Sequence, residues 1–262
     1  MADALIRGAK IHYQRVGIEG ATPVVFVHGL VMDNLASWYF TVAGSVGVNH
    51  DVLLYDLRGH GRSERTKAGY ALDSMVSDLA ELIDTVFGAQ RAVSLVGNSF
   101  GGLVALAFAR RFPSRTSKLV LVDAHLGDVG FGEAMARTLE LDGEERDRQI
   151  AHSFKDWLGR HSERKRTRLE GSARALVEQT SLIPDMRTTS PLNAADLQQL
   201  SAPTLALYGE HSDLRTASEV LLRNVPSVTL RIVAGCTHSI LWESTEFVRG
   251  EIAHFLRDGG RK

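Results

Sequence analysis

Six short apolar runs constrain this chain more than any other feature of its sequence. They span residues 23–27, 51–55, 92–96, 118–122, 203–208 and 228–233, each bounded by turn residues. Most are almost continuously apolar and rich in Val and Leu. A strand with one wet face alternates polar and apolar side chains. A run without alternation fits a strand buried on both faces, as in a parallel sheet covered by helices. Helical spacing appears between the runs, at Met75, Val76, Leu79, Leu82, Ile83 and Val86, and again at Val248, Ile252, Phe255 and Leu256. The first of these predicts a helix capped at Asp73 or Ser74. Residues 5–16 are more mixed and read as an edge strand or hairpin. The expected fold class is α/β: an open, mostly parallel sheet with helices on both faces.

The alternation breaks over residues 124–198. This stretch has no clear strand. Ile150, Phe154, Trp157 and Leu158 have helical spacing, as do Leu169, Leu176 and Val177, and charged residues of both signs crowd the segment. It reads as a helical insertion with a wet outer face, after which the sheet resumes at Pro203.

Composition narrows the function classes. Over 262 residues, 30 basic side chains face 31 acidic ones, a balance that argues against nucleic acid or an anionic membrane as a partner recognised by bulk charge. Residues 92–109 carry no charge, but Ser94, Asn98, Ser99 and three glycines interrupt them. They read as strand, turn and helix rather than a membrane span. The N-terminus lacks a continuous apolar core of the secretory-signal kind. The single cysteine, Cys236, cannot form an internal disulfide and reads as a small buried residue. A cytoplasmic location is the expectation.

The chemistry-bearing motif is Gly97-Asn98-Ser99-Phe100-Gly101, followed by Gly102, directly after the apolar run at 92–96 and at the start of an Ala/Leu/Phe-rich helix. Strand, G-x-S-x-G and helix together form a nucleophile elbow: the glycines clear a turn too tight for a Cβ, and the serine is exposed at the strand end. A hydroxyl needs a base. His238 follows the run at 228–233, in a loop expected at the same sheet edge. An acid should orient that base. Asp213 follows the run at 203–208 and gives the order Ser99, Asp213, His238; Asp123, at the end of the run at 118–122, is the alternative. Two backbone N–H groups should receive an oxyanion, from Phe100 and from Leu30 in the His28-Gly29-Leu30 loop, each worth ~3 kcal/mol in the transition state.

With these residues in place, the chain resembles the α/β-hydrolase superfamily nearly end to end. The segments that carry the likeness are Phe26-Val27-His28-Gly29, Asp56-Leu57-Arg58-Gly59-His60-Gly61-Arg62-Ser63, the elbow, Tyr208-Gly209-Glu210, and Gly235 to His238. The resemblance implies that Asp56, Arg58 and His60 are structural. It implies that residues 124–198 form a helical cap on a core of residues 1–123 and 199–262, with no metal or organic cofactor. The serine separates the chain from haloalkane dehalogenases and epoxide hydrolases, which use aspartate. The elbow is similar to that of meta-cleavage-product C–C hydrolases. Two departures stand out. The glycine-rich segment those enzymes carry after His-Gly is Leu30-Val31-Met32-Asp33-Asn34 here, and their acid falls three residues after the strand-end glycine, whereas Asp213 falls four after Gly209.

The resulting expectation is a serine hydrolase of a carboxylic ester or thioester with an apolar acyl part. Its partner is a small-molecule acyl substrate, with CoA and carrier-protein thioesters among the candidates. Lyase or cyclase chemistry, C–C hydrolysis, and a ligand receptor that retains the triad are the alternatives. Trp38, in Trp38-Tyr39-Phe40, and Trp157 are candidate walls of an acyl pocket, with core packing as the other reading. The basic run Arg160, Arg164, Lys165, Arg166 and Arg168 reads as a solvated helix face.

Overall fold

The computed structural model describes residues 2–127, 130–141, 163–190 and 192–257. Eight strands form one sheet: β1 (Ala2–Ile6), β2 (Ala9–Gly17), β3 (Pro23–Val27), β4 (Asp51–Tyr55), β5 (Val93–Asn98), β6 (Thr116–Val122), β7 (Thr204–Gly209) and β8 (Val228–Val233). Their spatial order is β1-β2-β4-β3-β5-β6-β7-β8. The mixed N-terminal stretch is an antiparallel hairpin, β1–β2, and β2 runs antiparallel to β4. All the other pairs are parallel.

Side chains on successive strand residues point to opposite faces, and the two faces are covered separately. Val25, Leu53, Leu95, Leu119, Leu121 and Ala206 pack on one side. Helices α1 (Leu72–Phe87), α2 (Phe100–Arg111) and α7 (Arg215–Asn224) cover that side. Val24, Phe26, Leu54, Val96, Val120 and Leu207 pack on the other. There they meet the helical turns at residues 36–47 and α9 (Thr245–Arg257), which follows the short α8 (Ile240–Glu243). The near-unbroken apolar runs are thereby explained: both faces of β3, β4 and β7 are dry.

The expected cap of α1 is not where the sequence suggested. The helix begins at Leu72 after Ala71, and no side chain bonds across its start. Asp73 lies inside the first turn, where its charge favours the positive end of the helix dipole.

Between β6 and β7 the described residues hold helices and no strand: α3 (Phe131–Glu140), α4 (Glu163–Gln179), α5 (Leu182–Arg187) and α6 (Ala194–Gln198). They are tied to loops that leave the carboxyl ends of strands. The Ser181 N–H donates to Lys67 O, the Tyr70 N–H to Asp185 Oδ2, and the Leu192 N–H to Gly127 O. Ala173 of α4 packs on Met32, beside Leu169 and Trp242. Trp157, the helical spacing at 150–158 and Arg160 lie outside the described residues, as do the side chains of Arg164, Lys165, Arg166 and Arg168.

Candidate active site

Ser99 stands between β5 and α2 at φ 52°, ψ −123°, a conformation L-residues rarely adopt. The neighbouring glycines make this turn possible. A Cβ on Gly97 would lie 2.4 Å from Gly101 O, one on Gly101 would lie 2.3 Å from His28 O, and one on Gly102 would lie 2.3 Å from Ala124 Cβ. The Ser99 N–H donates to Val122 O at 3.0 Å, and its carbonyl accepts from the His125 N–H at 3.2 Å. The elbow is therefore fastened to the end of β6.

His238 reaches this serine from the loop after β8. Its Nε2 lies 3.1 Å from Ser99 Oγ and its Nδ1 lies 3.2 Å from Asp123 Oδ1. An ionised carboxylate only accepts, so Nδ1 carries the ring proton and Nε2 is left to accept from the serine hydroxyl. The loop is held by Glu243, which accepts from the Thr237 N–H at 2.7 Å and from its hydroxyl at 2.6 Å. It also passes close over the end of β7, where a Cβ on Gly209 would lie 2.2 Å from Thr237 O.

The acid beside His238 is Asp123; the expected contact to Asp213 is not formed. The reason lies in the loop after β7. Three residues past Gly209 stands Ser212, and this hydroxyl turns inward and donates to Asp123 Oδ1 at 2.5 Å. Ser212 is buried while Asp213, the next residue, points to solvent. Asp123 is 1% exposed. It sits at φ 45° directly after β6, and its Oδ2 accepts from the Gly209 N–H at 2.8 Å. Asp213 still contributes as a charge. Burial alone would lower the basicity of His238. The hydrogen bond and charge of Asp123, helped by Asp213 and Glu243, outweigh it and hold the imidazole above its ordinary value.

Both expected oxyanion donors belong to residues that neighbour the serine. The Phe100 N–H is at the first position of α2, one of the groups with no acceptor inside a helix. Its ring is buried in the core. Leu30 lines an open cavity that also touches Ser99 and His238. The loop carrying Leu30 is pinned by two buried histidines. His60 Nε2 accepts from the Val31 N–H at 2.8 Å, and its Nδ1–H donates to Arg58 O at 2.9 Å. His28 Nε2 accepts from the Leu57 N–H at 2.9 Å, and its Nδ1–H donates to Gly29 O at 2.7 Å. Burial, with the neighbouring His28 adding, pushes His60 down to about 3, so it stays neutral and can accept. Asp56 receives the Leu35 and Arg62 N–H groups, and Arg58 pairs with Asp78 through two bonds of 2.8 Å. These contacts give Asp56, Arg58 and His60 structural jobs.

Trp38 does not wall the cavity. It is fully buried on the sheet face covered by α9, stacked 5.1 Å from Phe26, with its Nε1–H donating to Val27 O at 3.0 Å. The helical turn that begins at Ala36 points it into the core and leaves Phe40 outside. The aromatic residue on the cavity is Trp242, with Met32 and Leu241. Asp33, Asn98 and His125 also escaped the sequence reading. His125 stacks 5.9 Å from the His238 ring, and burial, followed by the charge of His238, pushes it down to about 4. Only one signal pointed to Trp242: it lies four residues after His238, one helical turn on. Among the described residues no group of side chains could hold a metal ion, and no helix is long and apolar enough to cross a membrane.

A serine on a strained strand–helix turn, with a histidine and a buried carboxylate converging on it at the carboxyl edge of a mostly parallel sheet, defines a class: hydrolases built on an α/β sheet. A family model of the alpha/beta hydrolase fold matches residues 22–245, and the chain belongs to that family. A 2-hydroxy-6-oxononadienedioate/2-hydroxy-6-oxononatrienedioate hydrolase of Burkholderia vietnamiensis is 29% identical, with 95% of this chain and 91% of that protein aligned. A proline iminopeptidase of Pestalotiopsis fici is 35% identical over 117 residues, and the chain spans 41% of its length. Among solved structures, a meta-cleavage product hydrolase from Pseudomonas fluorescens matches with a TM-score of 0.79 at 22% identity, covering 99% of this chain and 98% of that one. An enol-lactonase from Burkholderia xenovorans matches with 0.77 at 20%, covering 98% and 100%. At these identities the structural likeness speaks to the fold.

Proposed function

We propose that the chain is a serine hydrolase in which Ser99, His238 and Asp123 act as the catalytic triad on a carboxylic ester or thioester with an apolar acyl part. The observation that carries this reading is the unbroken path from Ser99 Oγ to His238 Nε2, 3.1 Å, and from His238 Nδ1 to Asp123, 3.2 Å. The strained serine opens onto a cavity walled by Leu30, Met32, Leu241 and Trp242.

In this mechanism Ser99 Oγ attacks the acyl carbon while Nε2 takes its proton. Asp123 holds the imidazole in the required tautomer and stabilises the imidazolium; it keeps its own charge. The N–H groups of Leu30 and Phe100 receive the oxyanion. The protonated His238 then hands its proton to the departing alcohol or thiol, leaving an acyl-Ser99. A water deprotonated by the same nitrogen releases the acid. The helices between β6 and β7 act as a cap over the cavity, an assignment supported by the packing of α4 on Met32 and Trp242. Small acyl esters are the first candidate substrates, and CoA or carrier-protein thioesters the second.

C–C bond hydrolysis is the second reading. A relative aligned over 95% of the chain is named as a 2-hydroxy-6-oxononadienedioate/2-hydroxy-6-oxononatrienedioate hydrolase. A screen of p-nitrophenyl esters and acyl thioesters, run beside a 2-hydroxy-6-oxo-dienedioate and with Ser99→Ala as control, separates the two. Ester or thioester turnover lost in the variant supports the first reading. Turnover of the dienedioate alone supports the second.

A further inference from the structure

Among the described residues that line it, the cavity beside Ser99 holds one acid, Asp33, and one titratable base, His238, and no Lys or Arg takes part. Asp33 stands close to the reacting centre. A Cβ on Gly29 would lie 3.2 Å from Asp33 Oδ2 and 3.5 Å from Ser99 Cβ, so carboxylate and nucleophile flank the same glycine. Asp33 Oδ2 accepts from the Gly29 N–H at 2.8 Å and from Asn98 Nδ2 at 3.2 Å. Its Oδ1 accepts from the Asn34 N–H at 2.8 Å and from the Ser37 hydroxyl. These four donors fix the carboxylate in place, and none of the four carries a charge to offset it. Further negative charge acts on His238 from Asp213 and Glu243. Arg62 lines a neighbouring groove that Asp33 also borders, and it is outside the lining of the Ser99 cavity.

A fixed charge in a partly dry cavity repels a like charge and favours an opposite one. We propose that Asp33 is a specificity residue that directs the Ser99 site to uncharged or cationic acyl esters and against acyl groups ending in a carboxylate. This inference rests on the serine-hydrolase reading. It also sets the chain apart from the full-length relatives whose printed names describe dioates, substrates with two carboxylates.

The test uses three p-nitrophenyl esters of matched chain length that end in a methyl, a carboxylate or a trimethylammonium group. For the wild-type chain, kcat/KM for the carboxylate ester should be about tenfold or more below that of the methyl ester, as a like charge several ångströms away implies. The trimethylammonium ester should be at least as good as the methyl one. Asp33→Asn should bring the carboxylate and methyl esters to within about threefold. Because Asp33 also ties the Gly29 loop to Asn98, this variant can slow all three esters together. The ratio between them is the readout that a loosened loop does not move. Equal or better use of the carboxylate ester by the wild type overturns the proposal, as does an unchanged ratio in a folded Asp33→Asn. If that variant does not fold, the wild-type order and its narrowing with added salt decide the matter. If no ester is turned over, the hydrolase reading fails by itself. Calorimetric binding of the same esters to Ser99→Ala then tests the charge order, and tight or equal binding of the carboxylate ester overturns it.

Discussion

At the scale of single residues, Asp123 and Asp213 make opposite predictions. Each follows a parallel strand, Asp123 directly after β6 and Asp213 four residues after Gly209. The structure separates them by burial: Ser212 occupies the inward position of the β7 loop and donates to Asp123, while Asp213 faces solvent. Asp123→Asn should therefore lower kcat by about 10⁴, because an amide cannot fix the productive tautomer. Asp213→Asn should cost less than about tenfold, since it removes a distant charge and no bond. Steady-state kinetics of the two purified variants checks the ranking, and the reverse order would reject the assignment. A pH effect follows. As the proposed base, His238 would act only when neutral, and its neighbours hold its basicity above the ordinary value. The activity of the wild type should rise with pH through a midpoint above 6.5. Any residual activity of Asp123→Asn should rise through a lower midpoint, because a cause of the elevation has gone. A pH profile of kcat/KM for both proteins measures this.

At the scale of elements, Gly101 and Gly171 stand at opposite extremes, one pressed against backbone and the other open. Gly101→Ala would drive a methyl into His28 O at 2.3 Å, and neither the elbow nor β3 can retreat without moving the oxyanion loop. A loss of about 3 kcal/mol or more in denaturant unfolding is expected there. Gly171 lies in the middle of α4, exposed, with nothing within 4 Å of its would-be Cβ. Gly171→Ala should raise stability by about 1 kcal/mol, through helix propensity alone. The strands, the hairpin, the elbow and the histidine beside Ser99 were legible in the sequence because each is written in local pattern: unbroken apolar runs, G-x-S-x-G, a histidine one loop after the last strand. Partner choice across the sheet is not local. Whether a carboxylate after β6 or after β7 meets His238 depends on which loop residue turns inward. The only trace of that decision was an acid one place late, with Ser212 where a partner for His238 would stand. Of the two readings of Trp38, core packing holds, for a related reason. Closeness in sequence to the His28-Gly29-Leu30 loop suggested the cavity, but the phase of the following helical turn sends the ring into the core between the sheet and α9.

At the scale of the whole molecule, buried histidines couple the site to the stability of the fold. His60 and His125 are held down to about 3 and about 4, largely by burial. The unfolded chain takes up these protons near 6.5, before the folded chain does, so acidification below that value favours unfolding. His238 works in the opposite sense: its raised value adds stability below 6.5 that fades as pH climbs through the folded value. The depressed pair should prevail in acid, each costing up to about 1.4 kcal/mol per pH unit. Melting temperatures should fall from pH 6.5 to pH 4.5, and less steeply in His60→Gln, whose amide retains a donor and an acceptor for Arg58 O and the Val31 N–H. A flat profile would contradict the buried neutral histidines. The sheet, the fastened elbow and the pinned donor loop converge on one atom, Ser99 Oγ. The most direct measurement of the account is therefore mass spectrometry of the chain after reaction with a fluorophosphonate, followed by peptide mapping. The account predicts one adduct, on the peptide containing Ser99, absent from Ser99→Ala and formed far more slowly by Asp123→Asn. An adduct on another residue, or equal labelling of the Ser99→Ala protein, would contradict it.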